Sequence, residues 1–312
     1  MDRETEDILM GLAPNRVSFE VPLAAMTTFG LGGPAEALVE PETVDELLRI
    51  LEYIRGRRLS WFILGGGSNV LAGDGGFAGV IVRLGKGFSG LRILERRDDR
   101  VYIEAGASAA TAALLTLARR EGLSGVEFLA GIPGWVGGAL AMNAGGRDGS
   151  IIQAVDRLTL VVAGGRAEEW ERGRLRAEYR RLDLPEGAVI VRAVLALTPD
   201  APEAVEARVK DILDRRSATQ PRGLRSAGCV FKNPAGDSAG RLIDAAGLKG
   251  RRVGSAWVAE EHANFIVHRG KATAAQVMKL IEEVRSEVDN RFGVRLEPEI
   301  RIIGRGLEKG SN

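Results

Sequence analysis

The 312-residue chain is poor in several residue types on which common protein chemistries depend. One cysteine excludes an internal disulfide, and with only two histidines the chain has too few ligands for the usual zinc sites. Lys and Arg number 43 against 42 Asp and Glu, so no field of one sign recruits nucleic acid or an acidic membrane surface. No apolar run approaches the roughly 20 residues that span a bilayer. We therefore expect no metal site and no nucleic-acid or membrane partner, while a local cation for one phosphorylated ligand stays compatible with this composition.

Length and the first residues set further expectations. A chain of 312 residues exceeds one ordinary core, so we expect two domains, residues 1–204 (core about 22–200) and residues 205–312. Residues 1–7 are acidic and lack the basic start and apolar centre of a signal peptide, which favours a cytoplasmic protein.

Apolar spacing and turn residues predict helices and strands that interleave in both halves, as in α+β or α/β proteins. A helix should begin at Thr43, where Thr43 and Glu46 form a capping box. The further predicted helices span 111–120, 202–216, 241–246 and 272–291. The predicted strands span 61–64, 80–84, 101–104, 158–162, 189–197, 264–268 and 294–303.

Three glycine-rich segments lie in the first half, at 27–35, 65–69 and 131–139. The second follows a predicted strand, and its backbone N–H groups would suit a pyrophosphate. A flexible turn is an equally good interpretation of any one segment. Together, three such segments favour the walls of a long phosphorylated ligand such as a dinucleotide.

The only cysteine, Cys229, lies in the segment Ala227-Gly228-Cys229-Val230-Phe231-Lys232-Asn233-Pro234. A free cysteine is usually a small buried hydrophobe. The neighbouring Gly, Lys and Asn favour instead a thiol that exchanges a proton with a substrate.

Two charged residues have a similar pair of interpretations. Arg180 is either a solvated surface group or a planar fork for a substrate carboxylate. Glu299 lies in a predicted alternating strand, where it is either exposed or an acid that supports a developing enolate.

Seven segments follow one another along the chain: Thr27-Thr28-Phe29-Gly30, Gly65 to Asn69, Gly131-Ile132-Pro133-Gly134, Asn143-Ala144-Gly145, Tyr179-Arg180, the cysteine segment and Leu296-Glu297-Pro298-Glu299. In this order they resemble the UDP-N-acetylenolpyruvoylglucosamine reductase (MurB) family, shorter subtype. The resemblance covers nearly the whole chain.

This resemblance implies an α+β protein with an FAD-binding domain of the vanillyl-alcohol-oxidase (PCMH) type and a smaller α/β C-terminal substrate domain. It implies non-covalent FAD, NADPH as co-substrate, and reduction of UDP-N-acetylglucosamine enolpyruvate to UDP-N-acetylmuramate for peptidoglycan precursors. We also expect a monomer that binds no nucleic acid and inserts into no membrane.

Carried over by position, the resemblance makes Cys229 the proton donor, Arg180 the carboxylate ligand and Glu299 the activating acid. Substrate contacts are expected at Tyr179, Lys232 and Asn233. The expected cofactor contacts are Thr28, Gly65, Gly66, Gly67, Ser68, Asn69, Gly131, Ile132, Pro133, Gly137, Gly138 and Asn143.

The chain departs from the family pattern at three positions. Cys229 replaces the common serine, and a thiol is still mostly protonated at neutral pH and able to donate. Leu182 replaces a serine, so this chain lacks the hydroxyl that the family pattern has there. His268 stands where asparagine is common, and it is assigned no role.

Two rival functions would produce part of this pattern. A sugar or lactone oxidoreductase that uses FAD would share the glycine segments, and a non-catalytic flavin-binding module would share them too. Neither rival accounts for the cysteine segment together with Glu299.

Overall fold

The computed structural model describes residues 1–97, 99–162 and 164–307. Its helices are α1 (Arg3–Leu12), α2 (Val44–Gly56), α3 (Thr111–Arg120), α4 (Val136–Ala141), α5 (Pro202–Thr219), α6 (Ala239–Ala245) and α7 (Ala274–Phe292). Its first strands are β1 (Val17–Pro22), β2 (Pro34–Val39), β3 (Trp61–Ile63), β4 (Val70–Ala72), β5 (Phe77–Val82), β6 (Leu91–Arg97), β7 (Arg100–Gly106), β8 (Leu123–Ser124), β9 (Gly145–Gly146) and β10 (Gly149–Ser150). The others are β11 (Val155–Val162), β12 (Arg166–Glu171), β13 (Arg176–Glu178), β14 (Arg181–Asp183), β15 (Val189–Pro199), β16 (Arg252–Val253), β17 (Ala256–Val258), β18 (Ile266–Val267) and β19 (Arg301–Ile303).

The chain folds into two compact units. Unit 1 contains residues 1–18, 38–66 and 80–215, and unit 2 contains residues 19–37, 67–79 and 216–312. Two short segments from the first 80 residues therefore belong with the C-terminal residues. The predicted domain bounds of 1–204 and 205–312 stay a prediction.

The main sheet of unit 1 is antiparallel, with the strand order β12-β11-β15-β7-β6, and β8 also pairs with β15. Its central strand β15 is rich in β-branched residues and mostly buried, as expected for a strand between two neighbours. The predicted strands over 101–104, 158–162 and 189–197 all lie in this sheet and are confirmed.

The start of α2 shows how far a local motif predicts structure. The Thr43 hydroxyl accepts a hydrogen bond from the Glu46 N–H, as the capping box requires. The Glu46 carboxylate, however, accepts from the Glu42 N–H at 2.8 Å and pairs with Arg16. The carboxylate half of the predicted box is therefore wrong, because an arginine 30 residues away changes where this side chain lies.

Unit 2 is built around α7. The buried face of this helix, from Ala274 to Val288, shares one apolar core with Phe29, Leu71 and Phe231. The strands β16, β17 and β18 form an antiparallel sheet, and β19 pairs with β4 in parallel. The segments 19–37 and 67–79 thus contribute to a core that they reach only through tertiary folding.

The first N–H groups of α7 are paired. Those of Ala274 and Ala275 donate to the two carboxylate oxygens of Asp74, at 2.8 and 2.9 Å. The Gln276 N–H donates to the hydroxyl of the N-cap residue Thr273. An acidic group at this end also opposes the helix dipole favourably, so Asp74 ties the segment 67–79 to α7.

The last predicted strand, 294–303, is regular only over Arg301–Ile303. Its alternation in burial is confirmed in part: Leu296 and Ile300 are buried and Arg295, Glu297 and Arg301 are exposed, whereas Glu299 and Ile302 are both half-buried. The predicted length is wrong because Pro298 has no N–H to donate to a ladder, and it makes only an isolated bridge with Phe231.

Membrane spans and clustered metal ligands are both absent from the part of the chain that the structure describes. None of the helices there is long and apolar enough to cross a membrane. Among residues 1–97, 99–162 and 164–307, no group of three or more His, Cys, Asp or Glu could hold a metal ion.

Candidate functional site

Two glycine segments pack against each other in unit 1. An ideal Cβ on Gly66 would lie 2.8 Å from the Gly134 Cα, so this close backbone approach requires glycine. An ideal Cβ on Gly65 would lie 3.9 Å from the Gly138 nitrogen, an ordinary contact. An ideal Cβ on Gly138 would meet nothing within 4 Å, although Gly138 lies inside α4, where alanine is favoured. The packing of the protein therefore does not require glycine at Gly65 or Gly138.

The turn before α4 is held from α3. The Thr111 hydroxyl lies 2.8 Å from the Ile132 carbonyl oxygen and 3.1 Å from that of Gly134. Gly131 has φ +76°, a left-handed conformation, and both it and Pro133 are exposed. Gly137 packs against Ala107, where an ideal Cβ would lie 2.9 Å from the Ala107 Cβ. These contacts shape the segment expected to contact the cofactor.

Two hydrogen bonds in unit 1 join the segment of Asn143 to the hairpin that carries Arg180. Strands β13 and β14 form a hairpin whose turn is Tyr179-Arg180, and Arg180 has φ +58°. The buried Asn143 amide donates to the Glu178 carbonyl oxygen at 3.0 Å, and Arg180 Nη1 donates to the Gly145 carbonyl oxygen at 2.8 Å. The guanidinium lies 5.0 Å from the ring of Tyr179, which is half exposed. The side chain of Asn143 thus holds the hairpin that carries Arg180.

Thr28 and Gly67 are in contact within unit 2. The Thr28 N–H donates to the Gly67 carbonyl oxygen at 3.1 Å, and the Thr28 hydroxyl donates to the Ser226 carbonyl oxygen at 2.7 Å. Gly67 has φ +66°, and an ideal Cβ there would lie 1.9 Å from the Met26 carbonyl oxygen. Glycine is therefore required at position 67, whatever the ligand.

The segment that carries Cys229 pairs on two sides. Cys229 forms an antiparallel bridge with Phe265, and its side chain is half-buried. On the other side, the Glu299 N–H donates to the Val230 carbonyl oxygen at 2.7 Å, and the Lys232 N–H donates to the Glu297 carbonyl oxygen at 2.8 Å. The backbone of the predicted acid therefore lies beside the residue that follows the predicted proton donor.

Asn69 also takes part in holding Glu299. The Asn69 amide donates to the Glu299 carbonyl oxygen at 3.1 Å, and the Arg301 N–H donates to the Asn69 carbonyl oxygen at 2.8 Å. Ser68, the residue before it, is half-buried. The Asn69 side chain, which we expected at the cofactor, is thus in contact with the backbone of Glu299.

The two substrate-binding candidates after Cys229 have protein partners. Lys232 Nζ lies 3.3 Å from Glu297 Oε2, with both side chains exposed. Asn233 Oδ1 accepts a hydrogen bond from the Ala239 N–H, the first residue of α6, at 3.0 Å. A role of Asn233 toward substrate would therefore add to a structural one.

Sequence reasoning missed Asn264, a buried residue beside this segment. Its amide accepts from the Phe231 N–H at 2.9 Å and donates to the Phe231 carbonyl oxygen at 2.8 Å, as a strand neighbour would. Its own carbonyl oxygen accepts from the Val230 N–H. A polar residue at the start of an apolar strand was the available indication in the sequence, because a buried amide needs partners.

These contacts fit a flavin nucleotide in a specific respect. Gly65 and Gly138 leave room beside the backbone that side chains would otherwise occupy. Glycine at such a position allows a ligand to approach N–H groups closely. The residues present are therefore compatible with the cofactor implied by the sequence.

Two family models match the chain. The FAD binding domain matches residues 35–170, and the UDP-N-acetylenolpyruvoylglucosamine reductase C-terminal domain matches residues 220–303. The predicted α+β class, with an FAD-binding domain and a separate C-terminal domain, is confirmed.

Similar proteins carry one common description. The UDP-N-acetylenolpyruvoylglucosamine reductase of Desulfosudis oleivorans is 43% identical over 97% of this chain and 100% of its own length. Reductase 2 of Symbiobacterium thermophilum is 43% identical over 93% of each chain. The crystal structure of the Thermus caldophilus reductase (MurB) has a TM-score of 0.81 and 37% identity, covering 93% of this chain and 99% of that one. The chain belongs to the UDP-N-acetylenolpyruvoylglucosamine reductase family.

Proposed function

We propose that this chain reduces UDP-N-acetylglucosamine enolpyruvate to UDP-N-acetylmuramate with NADPH, and that Arg180, Cys229 and Glu299 are its catalytic residues. The reduction yields a peptidoglycan precursor, which is consistent with the family to which the chain belongs. We further propose that the chain acts as a monomer in the cytoplasm. FAD, when bound, would supply two-electron transfer from NADPH to the enolpyruvyl double bond.

The observation that carries this proposal is the pairing of residues 230–232 with residues 297–299. The hydrogen bonds from Glu299 N to Val230 O and from Lys232 N to Glu297 O hold these backbones together. Adjoining backbones allow a proton donor and an acid to act on neighbouring atoms of one substrate. The pairing gives Cys229 and Glu299 a common support.

Reduction of the enolpyruvyl ether requires one hydride equivalent and one proton. The hydride equivalent adds to the terminal vinyl carbon, and the electron pair of the double bond moves toward the carboxylate. Cys229 then donates its S–H proton to the carbon that bears the ether oxygen and the carboxylate, and solvent reprotonates the thiolate. General acid catalysis of this kind contributes typically ~10²–10⁴ in rate.

Arg180 and Glu299 stabilise the charge that develops during this step. The planar guanidinium of Arg180 suits a carboxylate, and its bond to Gly145 holds it in one orientation. Glu299 supports the enolate-like charge, as a proton-bearing acid does in other enzymes. Tyr179, Lys232 and Asn233 are proposed to contact the UDP-sugar.

The glycine segments are proposed to hold the FAD. Backbone N–H groups of Gly65, Gly66 and Gly67 would face its pyrophosphate, with Ser68 adding a hydroxyl. Thr28, whose N–H and hydroxyl donate to Gly67 and Ser226, would line the site through the rest of its side chain. The exposed segment of Gly131, Ile132 and Pro133 and the helical Gly137 and Gly138 would line the remainder, together with Asn69 and Asn143.

An anaerobic titration tests the function. The purified protein should absorb as a flavoprotein, bleach on addition of NADPH, and recover its colour when the UDP-enolpyruvyl sugar is added. Rapid oxygen consumption with an alcohol or a lactone, and no recovery with the sugar, would indicate instead an oxidoreductase of another specificity. A yellow protein that NADPH leaves oxidised would indicate a non-catalytic flavin-binding module.

Two variants test the role of Cys229. Cys229→Ser keeps a proton donor and should retain substantial turnover. Cys229→Ala should bleach with NADPH at the wild-type rate and recover more slowly with the sugar, by about 10²–10⁴-fold. Stopped-flow measurement of both half-reactions separates the two steps, and an unimpaired second half-reaction in the alanine variant removes Cys229 from this role.

A further inference from the structure

His268 is a buried histidine to which the proposed reaction gives no role. Its side chain is 0% exposed, and it lies in unit 2 directly after β18. Nε2 lies 2.7 Å from the Phe29 carbonyl oxygen, 239 residues away in the chain. Nδ1 accepts a hydrogen bond from the Gly270 N–H at 2.9 Å. Both ring nitrogens are therefore engaged.

These partners define the tautomer. A carbonyl oxygen can only accept, so Nε2 carries the proton and donates a hydrogen bond to the Phe29 carbonyl oxygen. Nδ1 uses its lone pair for Gly270, which leaves the ring neutral. Burial lowers the pKa of His268, the bond to Phe29 raises it, and the charge of Arg225 lowers it, with a net shift below the ordinary value of 6.5.

The bond from His268 reaches the loop that the proposed function assigns to the cofactor. Phe29 is fully buried, and its ring stacks on the His268 ring with the centroids 5.9 Å apart. Next to it, the Gly30 N–H donates to the Thr27 carbonyl oxygen, and the Thr28 N–H donates to Gly67. His268 therefore supports the loop at the residue between Thr28 and Gly30.

The same strand is paired with the segment of Cys229. His268 and Arg225 exchange backbone hydrogen bonds in an antiparallel bridge, and Cys229 forms a second bridge with Phe265. One short segment, 265–268, thus holds the backbone of Cys229 at one end and the loop of Thr28 at the other, through a side chain.

The geometry points to His268 as a positioning residue that places the Thr27–Gly30 loop for FAD binding and keeps this loop in register with the Cys229 segment. This inference rests on the proposed function, in which Thr28 and Gly67 contact FAD. His268 itself touches neither cofactor nor substrate in this scheme. Without its N–H, the Phe29 carbonyl oxygen is buried without its imidazole donor, and FAD must reorder the loop on binding.

Three substitutions separate the two hydrogen bonds of the ring. His268→Gln places an amide N–H near the position of Nε2, and should bind FAD with about the wild-type dissociation constant. His268→Asn can provide an acceptor near Nδ1 but cannot reach Phe29, and His268→Leu provides neither. Both should weaken FAD binding by about five- to thirtyfold, the usual effect of leaving one buried acceptor unpaired.

His262→Leu is the matched control. His262 also has a pKa lowered chiefly by burial, and its Nδ1 accepts a hydrogen bond from the Asn264 N–H, a neighbour two residues along the chain. Its removal tests whether the loss of an imidazole elsewhere in unit 2 also lowers FAD affinity. We expect the dissociation constant of this variant to stay within about twofold of wild type, the scale of a few tenths of a kcal/mol.

The measurement is a titration of each deflavinated protein with FAD, followed by flavin fluorescence. If the wild-type protein binds no FAD, the proposed function fails. If it binds FAD and His268→Leu binds equally tightly, the role of His268 is overturned and the proposed function stands. Should His268→Leu not fold, the pair of His268→Gln and His268→Asn decides: equal affinities overturn the inference, and weaker binding by the asparagine variant supports it.

Discussion

One added methyl group at Gly138 should change the stability of the protein in opposite directions without and with FAD. Gly138 is exposed in α4, and a Cβ there would meet nothing within 4 Å. Alanine in place of a helical glycine stabilises a protein by about 0.5–1 kcal/mol when no clash results. Without FAD, Gly138→Ala should therefore raise the free energy of unfolding by about this amount.

With FAD present, the sign should reverse. The added methyl occupies space that we assign to the cofactor, and we expect FAD to bind at least about tenfold more weakly, a loss of about 1.4 kcal/mol. At an FAD concentration of 100 times the wild-type dissociation constant, ligand binding stabilises the wild type by about 2.7 kcal/mol and the variant by about 1.4 kcal/mol. The difference exceeds the helical gain, so the variant becomes the less stable protein.

Two other glycines serve as controls for this reversal. Gly11 is also exposed in a helix, α1, with nothing within 4 Å of an ideal Cβ, and it lies outside the predicted cofactor segments. Gly11→Ala should stabilise the protein equally with and without FAD. Gly67→Ala combines φ +66° with a Cβ 1.9 Å from Met26 O, and should destabilise both forms. A left-handed alanine costs about 1–2 kcal/mol and overpacking about 1–3 kcal/mol more.

Urea unfolding followed by circular dichroism, on deflavinated and FAD-saturated protein, measures the free energy of unfolding of each variant in both conditions. The reasoning is refuted if Gly138→Ala is the more stable protein in both conditions, because FAD then does not approach this residue. A Gly138→Ala protein destabilised without FAD would instead show that the space beside α4 is not open.

Two further predictions concern stability. Asp74→Ala should lower the free energy of unfolding by about 1–2 kcal/mol, since two N–H groups of α7 lose their acceptor and the helix loses an N-terminal charge. Asp74→Asn keeps one acceptor and should lower the free energy of unfolding by less. Urea unfolding at low and high salt checks both variants. His262 and His268 have pKa values below 6.5, chiefly because of burial, so the unfolded chain binds more protons than the folded protein. The free energy of unfolding should therefore fall as the pH drops below about 6.5, by up to ~1.4 kcal/mol per pH unit for each residue. Unfolding measured between pH 7.5 and pH 5.5 should show this slope, and the double variant His262→Gln/His268→Gln should have a smaller one.

Local patterns in the sequence predicted five of the seven helices and seven of the 19 strands among the residues that the structure describes. The helix over 111–120 has the bounds that apolar spacing indicated, and the helix over 272–291 is displaced by only two residues at its start. Predictions failed where a residue distant in the chain forms the contact, as in the ion pair of Arg16 with the Glu46 carboxylate. They also failed where the backbone had no donor, as at Pro298.

The sequence predicted which segments form the candidate site, but not the contacts that hold them together. Glycine clusters and the Cys229 segment are short contiguous patterns, so a single reading of the chain finds them. The contacts of Asn69 with Glu299, of Asn264 with Phe231 and of His268 with Phe29 join residues 33 to 239 positions apart. No local pattern reports such pairs, because sequence spacing constrains only neighbours along the chain.

The sequence by itself determined the chemical inventory: one thiol, two histidines, balanced charge, three glycine-rich segments, and the order of the helices and strands that it predicted. Tertiary structure alone decided which glycines the protein needs for its own packing and which leave open space. It also decided that Asp74 caps α7 and that a buried imidazole supports the Phe29 loop. The physical reason is that propensity and periodicity act within a few residues, whereas hydrogen-bond satisfaction and close packing are settled only when distant segments meet.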